Sequence, residues 1–196
     1  MLEQELVSNV ETLCVGSFEW MTTNLTVSHY QNGDAIPEIS DPLEWANCNI
    51  GAWCHYNNDP KNEAVYGKLY NIHALNDPRG LAPVGFHIPD EMEWSNINKS
   101  LRCKEHLENK KEDCNSTCSN FNGRRDLAKK CGFTFLGGYR FADGSFSYLN
   151  SAGFWWCKSE ESSIISWVKN LGCSFSNAYK NSGLKAYGYS VRCIKD

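Results

Sequence analysis

The residues of this chain best equipped for chemistry are its ten cysteines, its five histidines and a scatter of carboxylates. Cys103, Cys114, Cys118 and Cys131 fall in one charged, polar stretch, "RCKEHLENKKEDCNSTCSNFNGRRDLAKKC". Three readings of them stay open. Local disulfides come first and free thiols next. A four-cysteine zinc site comes last, because structural zinc usually shows two tight C-x2-4-C pairs and only Cys114 with Cys118 has that spacing. His55, beside Cys54 in "NCNIGAWCHYNND", offers a metal ligand to share with Cys48, but a lone histidine among aromatics is more often simply hydrogen-bonded. Glu160 and Glu161 in "KSEESS" form a carboxylate pair; adjacent acids on a polar loop read as a solvated turn, since catalytic pairs need opposed faces and unequal environments. The chain holds no H-E-x-x-H, no G-x-S-x-G and no phosphate-binding glycine loop, so the common hydrolytic and phosphoryl-transfer signatures are missing. Gly137-Gly138, in strand-like sequence, reads as close backbone packing or a bulge rather than an anion cradle.

The bulk numbers narrow the setting. At 196 residues the chain fits one domain over 1–196, with the cysteine-rich stretch as a surface insertion at about 102–131. A hydrophobic content of 41% against 21% charged residues argues against disorder, and seven tryptophans call for an aromatic interior or binding face. The net charge of -4 gives no electrostatic case for nucleic acid or an anionic membrane. No apolar run approaches the roughly 18 residues of a membrane span. The opening "MLEQELVSNVETLCVG" does not read as a secretory leader, whereas ten cysteines favour an oxidising compartment, so the two signals on location oppose each other. The sequons at Asn24, Asn98 and Asn115 carry meaning only in a eukaryotic secretory setting.

The elements that must position these residues are short. Glycine, asparagine and brief aromatic runs dominate, which predicts many short strands and loops with little helix. The clearest helix starts at "IPDEMEW", where Asp90 is the N-cap, Glu93 closes a capping box, and Trp94, Ile97 and Leu101 share a core face. Phe133 and Phe135 alternate as in a strand, and "ADGS" predicts a hairpin turn between Tyr139/Phe141 and Phe146/Tyr148. "GFWWCKSE" and "SWVKNLGCSF" continue as strands. The closing "AYGYSVRCIKD" reads as a strand locked into a sheet, with Tyr187, Tyr189, Val191 and Cys193 on one face and Ser190 and Arg192 on the other.

Taken in order, "FEWMTTNLTVSHYQNGDAIPEISDPLEWANCNIGAWCHYNNDPKNEAVYGKLYNIHALNDPRGLAPVGFHIPDEMEW", "GFTFLGGYRFADGSFSYLNSAGFWWCKSE" and "YGYSVRCIKD" resemble the Fibrobacter succinogenes major paralogous domain family. The resemblance covers nearly the whole chain apart from its first dozen or so residues and the cysteine-rich insertion. It implies an α+β, C-type-lectin-like fold: a mixed, mostly antiparallel sheet with a flanking helix and long loops, related in architecture to formylglycine-generating enzymes. Relatives commonly keep a cysteine in the "GAWC" loop and another in "SVRC", which implies a Cys54–Cys193 disulfide, with two buried thiols as the alternative. Phe86 replaces the family's usual Trp before the histidine, "WWSS" becomes Trp155-Trp156-Cys157-Lys158, and Gly172-Cys173 stands where Tyr is frequent.

Members of the family look like surface or secreted modules without known catalysis, and some are similar to the variable proteins of diversity-generating retroelements. The function this implies is a non-catalytic ligand-binding or adhesion module, extracellular or on a cell or virion surface, that grips a protein or glycan on a host or neighbouring surface. Its recognition face is expected between Trp155 and Tyr187: Ser166, Lys169, Asn170, Ser174, Ser176, Asn177, Tyr179, Lys180 and Asn181, backed by Trp156 and Trp167. Tyr and Trp supply rigid contact area there, and Ser and Asn supply adaptable hydrogen bonds. No cofactor is expected, and binding is expected to be independent of calcium, because the E-P-N and W-N-D clusters of lectin sites are missing. Two rival readings are a structural virion or surface-particle component and an oxidase like the formylglycine-generating enzymes, for which Cys157 and Cys173 are the cysteines in the right region.

Overall fold

The computed structural model describes residues 10–96, 136–147, 152–162, 165–171 and 187–196, and of 159–162, 165–167 and 169–171 the backbone alone. The Phe133/Phe135 strand, Ile97, Leu101, Tyr148 and the cysteine-rich insertion with Cys103, Cys114, Cys118 and Cys131 lie outside the described residues. Short helices and antiparallel strands alternate along the described chain, which makes the fold an α+β mixture.

Two small sheets carry the architecture. The first runs in the order β1 (Thr12–Val15), β2 (Phe18–Met21), β10 (Ile194–Lys195), β5 (Phe86–His87). The second runs β3 (Trp53–His55), β4 (Lys68–Tyr70), β9 (Gly188–Tyr189), β6 (Tyr139–Arg140). The strand expected at the close of the sequence is therefore two strands, one in each sheet. Residues between them continue the join: Ser190 N–H donates to Gly138 O, and the N–H groups of Leu25 and Met21 donate to the carbonyls of Val191 and Cys193. One stretch of chain thus holds both sheets together.

Register explains how the second sheet divides the core. Trp53 pairs with Tyr70, Tyr70 with Tyr189, and Tyr189 with Tyr139, so one row of four aromatic residues crosses all four strands. Side chains directly opposite one another share a face, and this row lies in the largest core cluster together with Val191 and Cys193. Burying each such side chain stabilises the fold by roughly 2 kcal/mol. The other face carries the residues on either side of this row, Cys54 opposite Leu69 on one flank and Arg140 opposite Gly188 on the other. It meets Trp45, Tyr56, Tyr66 and Leu136 in a separate cluster. A Cβ on Gly138 would lie 2.4 Å from Leu69 Cδ2, which is the close packing the paired glycines imply.

That division corrects the expected Cys54–Cys193 disulfide. Both are free, buried thiols. Cys54 packs with Trp45 and Tyr56 on one side of the second sheet and Cys193 with the aromatic row on the other, so the sheet stands between their sulfurs. Burial pushes the Cys54 thiol up to about 11 and the Cys193 thiol up to about 12, leaving two small hydrophobes.

Local signals in the sequence account for the ends of the elements. Asp41 caps α1 (Pro42–Asn47), its Oδ1 accepting from the N–H groups of Leu43 and Glu44 at 2.9 Å, with Pro42 in the first turn. Two one-turn helices, α2 (Glu63–Tyr66) and α3 (Ile72–Leu75), flank β4. Residues 91–96 form α4, and the capping box is in place: Glu93 N–H donates to Asp90 Oδ1 and Asp90 N–H to Glu93 Oε2, both at 2.8 Å. At the "ADGS" turn Phe141 N–H reaches Ser145 O at 2.8 Å, with Gly144 at φ 82 as its left-handed residue.

Two fully buried guanidinium groups tie loops to strands. Arg140 donates to the carbonyls of Ile39 and Ser40 at 2.7 and 2.9 Å and lies 4.4 Å over the Trp45 ring. Arg192 donates through Nε and Nη2 to Asn24 Oδ1 at 3.1 and 2.6 Å. The same oxygen accepts from Trp155 Nε1 at 2.8 Å, while Asn24 Nδ2 donates to Leu136 O at 2.7 Å and Val65 O at 3.2 Å. Asn24, a sequon asparagine by sequence, is a core hub with 3% exposure. Burial pushes Arg192 down to about 9, still protonated at neutral pH.

Replacing Asn24 with Ala leaves the Arg192 charge and the Trp155 N–H without this oxygen, and is expected to cost about 3 kcal/mol of stability in urea titrations. A loss below about 1 kcal/mol would mean that the hub is replaceable. Alkylating the denatured protein without reductant is expected to label both Cys54 and Cys193 in peptide maps. A recovered Cys54–Cys193 linked peptide would contradict their placement on opposite faces.

Candidate functional site

The expected recognition stretch begins on a hairpin of the two longest described strands, β7 (Gly153–Ser162) and β8 (Ile165–Leu171). Its base is built from core residues. Phe154 and Trp156 enter the largest cluster with Val168, while Trp155 and Cys157 enter a third one with Val15, Trp20, Trp94 and Ile194. Both faces of β7 are therefore covered where it starts. Trp156 donates its indole N–H to Tyr70 O at 2.7 Å, as Trp155 does to Asn24. Backbone bonds fix the rest: Trp156 N–H to Ser190 O at 3.1 Å, Phe154 N–H to Gly137 O at 3.3 Å, and a parallel bridge between Trp155 and Ser190. Gly137 permits this approach, since a Cβ there would sit 2.6 Å from Phe154 O.

Beyond Trp156 the strand changes character. Between the Trp156–Val168 and Glu160–Ser166 pairs, β7 uses more residues than β8, and it does so again before Ser162–Ile165. These are bulges, which bend a strand and raise its twist. The cause of the first is visible: Lys158 turns its N–H to Pro89 O at 2.9 Å instead of to β8, and its side chain is exposed. Glu160 and Glu161, expected on a loop, belong to β7.

The residues expected to recognise a ligand distribute along this arrangement. Trp156 is fully buried and supports the hairpin from inside. Ser166, Lys169 and Asn170 are strand positions paired with Glu160, Trp155 and Phe154, and Trp167 lies between them on β8. Ser174, Ser176, Asn177, Tyr179, Lys180, Asn181 and Cys173 lie outside the described residues. On either side of that stretch the described residues are Leu171, paired with Gly153, and Tyr187.

Tyr187 brings in residues that sequence reasoning did not assign to the site. It packs 5.6 Å from Tyr139 and 6.0 Å from Phe141, and Tyr139 stacks on Tyr189 at 4.8 Å. Phe141 and Tyr187 remain half-buried. The aromatic row of the second sheet thus continues to the half-buried Phe141 and Tyr187. The signal was the alternation of Tyr139 with Phe141 ahead of the "ADGS" turn.

The other candidates resolve differently. His55 faces Glu63 Oε2 at 3.5 Å and Glu38 Oε1 at 3.9 Å on its two ring nitrogens, and Lys68 lies 3.6 Å from the same Glu63 oxygen. Cys48 instead donates to Ile50 O and accepts from Asn71, so it does not join His55. Among the described residues no group of three His, Cys, Asp or Glu side chains could hold a metal ion, and no helix is long and apolar enough to cross a membrane.

No curated protein and no solved structure matches the chain. Residues 14–195, which hold the whole hairpin, the second sheet and all of the first sheet but the start of β1, match the Fibrobacter succinogenes major domain, and the chain belongs to that family.

Proposed function

We propose that this chain is a non-catalytic ligand-binding or adhesion module on a C-type-lectin-like frame, with its recognition surface on the β7–β8 hairpin and the stretch that follows it. The observation that carries this reading is the contrast along one strand. The first residues of β7 are buried on both faces and bonded to Tyr70, Asn24 and Ser190, whereas beyond them the strand bulges and presents Lys158 to solvent. A rigid base with a bulged extension suits recognition, because preorganised anchors lower the entropy cost of binding. The composition from Ser166 to Asn181, rich in Ser and Asn with Trp167, Phe175 and Tyr179 among them, favours a protein or glycan partner on a neighbouring cell or particle surface.

The test uses the full chain on a glycan array and on a panel of cell-surface proteins. Tyr179→Ala and Asn177→Ala are expected to weaken binding to a hit by tenfold or more, with the melting temperature unchanged. Unchanged binding by both variants would discard this face. Binding and melting temperature are also expected to be the same in EDTA and in roughly millimolar calcium. A large calcium-induced rise in melting temperature would overturn the calcium-independent part of the reading.

A further inference from the structure

We propose that His87 is a pH-sensitive latch, whose protonated ring ties the closing strand to the start of α4 and whose neutral ring lets Asp196 go. His87 Nδ1 lies 2.7 Å from Asp196 Oδ1, and Nε2 lies 2.9 Å from Glu93 Oε1. An ionised carboxylate only accepts, and a neutral imidazole carries one N–H. Both bonds exist together only when the ring holds two protons and a positive charge.

Charged neighbours on every adjoining element agree with this. Glu93 on α4 and Asp196 beyond β10 are the carboxylates that act on the ring. Asp90 is occupied as the cap of α4, Lys195 turns across β10 to Glu19 on β2 at 3.2 Å, and Lys158 on β7 is exposed, meeting this region through its backbone N–H. Burial alone would draw the ring down, but the bonds to Glu93 and Asp196 outweigh it and hold His87 above the ordinary histidine value. For a group raised in the folded state, the added stability is complete below the unfolded value near 6.5 and is lost as pH rises through the folded value.

The release is one-sided. Glu93 is held by its second oxygen, which accepts from Asp90 N–H at 2.8 Å, and its side chain is 20% exposed against 58% for Asp196. A neutral ring keeps the bond to the fixed carboxylate and drops the other. Asp196 then retains its backbone bond to Gly85 O. The two elements the latch joins are also two supports of the hairpin: α4 places Trp94 5.5 Å from Trp155, and the closing segment places Ser190 against Trp155 and Trp156.

The test needs no ligand. In an NMR titration of the full chain, His87 is expected to titrate above the ordinary value and to fall towards it in Asp196→Asn, an exposed substitution that keeps the fold. The unfolding constant of His87→Gln relative to the native chain is expected to be several-fold higher at about pH 5.5 than at about pH 9, tenfold for each unit of elevation. A His87 that titrates at or below the ordinary value, or a ratio equal at the two pH values, would overturn the latch. Should His87→Gln fail to fold, the native titration and Asp196→Asn decide alone.

Discussion

One carboxamide holds this fold in register. The Asn24 side chain is almost wholly enclosed, and its two ends make five hydrogen bonds to four residues in separate parts of the chain: Val65, Leu136, Trp155 and, twice, Arg192. Hydrogen bonds add only about 1 kcal/mol each when made, but an enclosed donor or charge left without its partner costs more than that. The energetic weight is therefore in the alternatives that Asn24 forbids. A slip of the closing segment by one residue would send Arg192 to the face of the aromatic row and Val191 to the amide. The hub and the apolar alternation of Tyr189, Val191 and Cys193 specify the same register from opposite sides of the chain.

The same logic assigns the second sheet its part. Its aromatic row fills one cluster, and its other face receives Cys54, Leu69 and the Arg140 guanidinium, which is matched by loop carbonyls and the Trp45 ring. A sheet buried on both faces has no surface to spare for binding. Beside these clusters, Lys158 is exposed at the start of the β7 bulge, and Phe141 and Tyr187 are half-buried.

Much of this was legible in the sequence, and the reason is locality. The Asp90–Glu93 capping box, the "ADGS" turn, the tight Gly137-Gly138 approach and the alternation of the closing residues all rest on neighbours a few positions apart, which is what pattern reading detects. What was not legible depends on contacts distant in sequence. Asn24 looked like a sequon because its partners stand 41 to 168 positions away. Cys54 and Cys193 looked like a pair by resemblance, yet the strand order that separates them is a property of four strands together. Along the proposed site, the strands β7 and β8 were foreseen, while the full burial of Trp155 and Trp156 and the packing of Phe141 with Tyr187 were not, since only the pairing of strands distant in sequence brings these rings together.

The residues that flank the proposed recognition stretch bear on how much change it could carry. Leu171 is fixed by pairing with Gly153, and Tyr187 by packing against Tyr139 and Phe141. Holding two chain ends together costs an entropy that grows only with the logarithm of the residues between them. With both ends fixed by contacts outside the stretch, altering its composition or length changes that cost little. The core residues that set stability lie before it, in Phe154 to Cys157, and after it, in Tyr189 to Ile194. On the proposed function, variation in the recognition stretch and constancy in the core that carries it fall to different segments of one continuous chain.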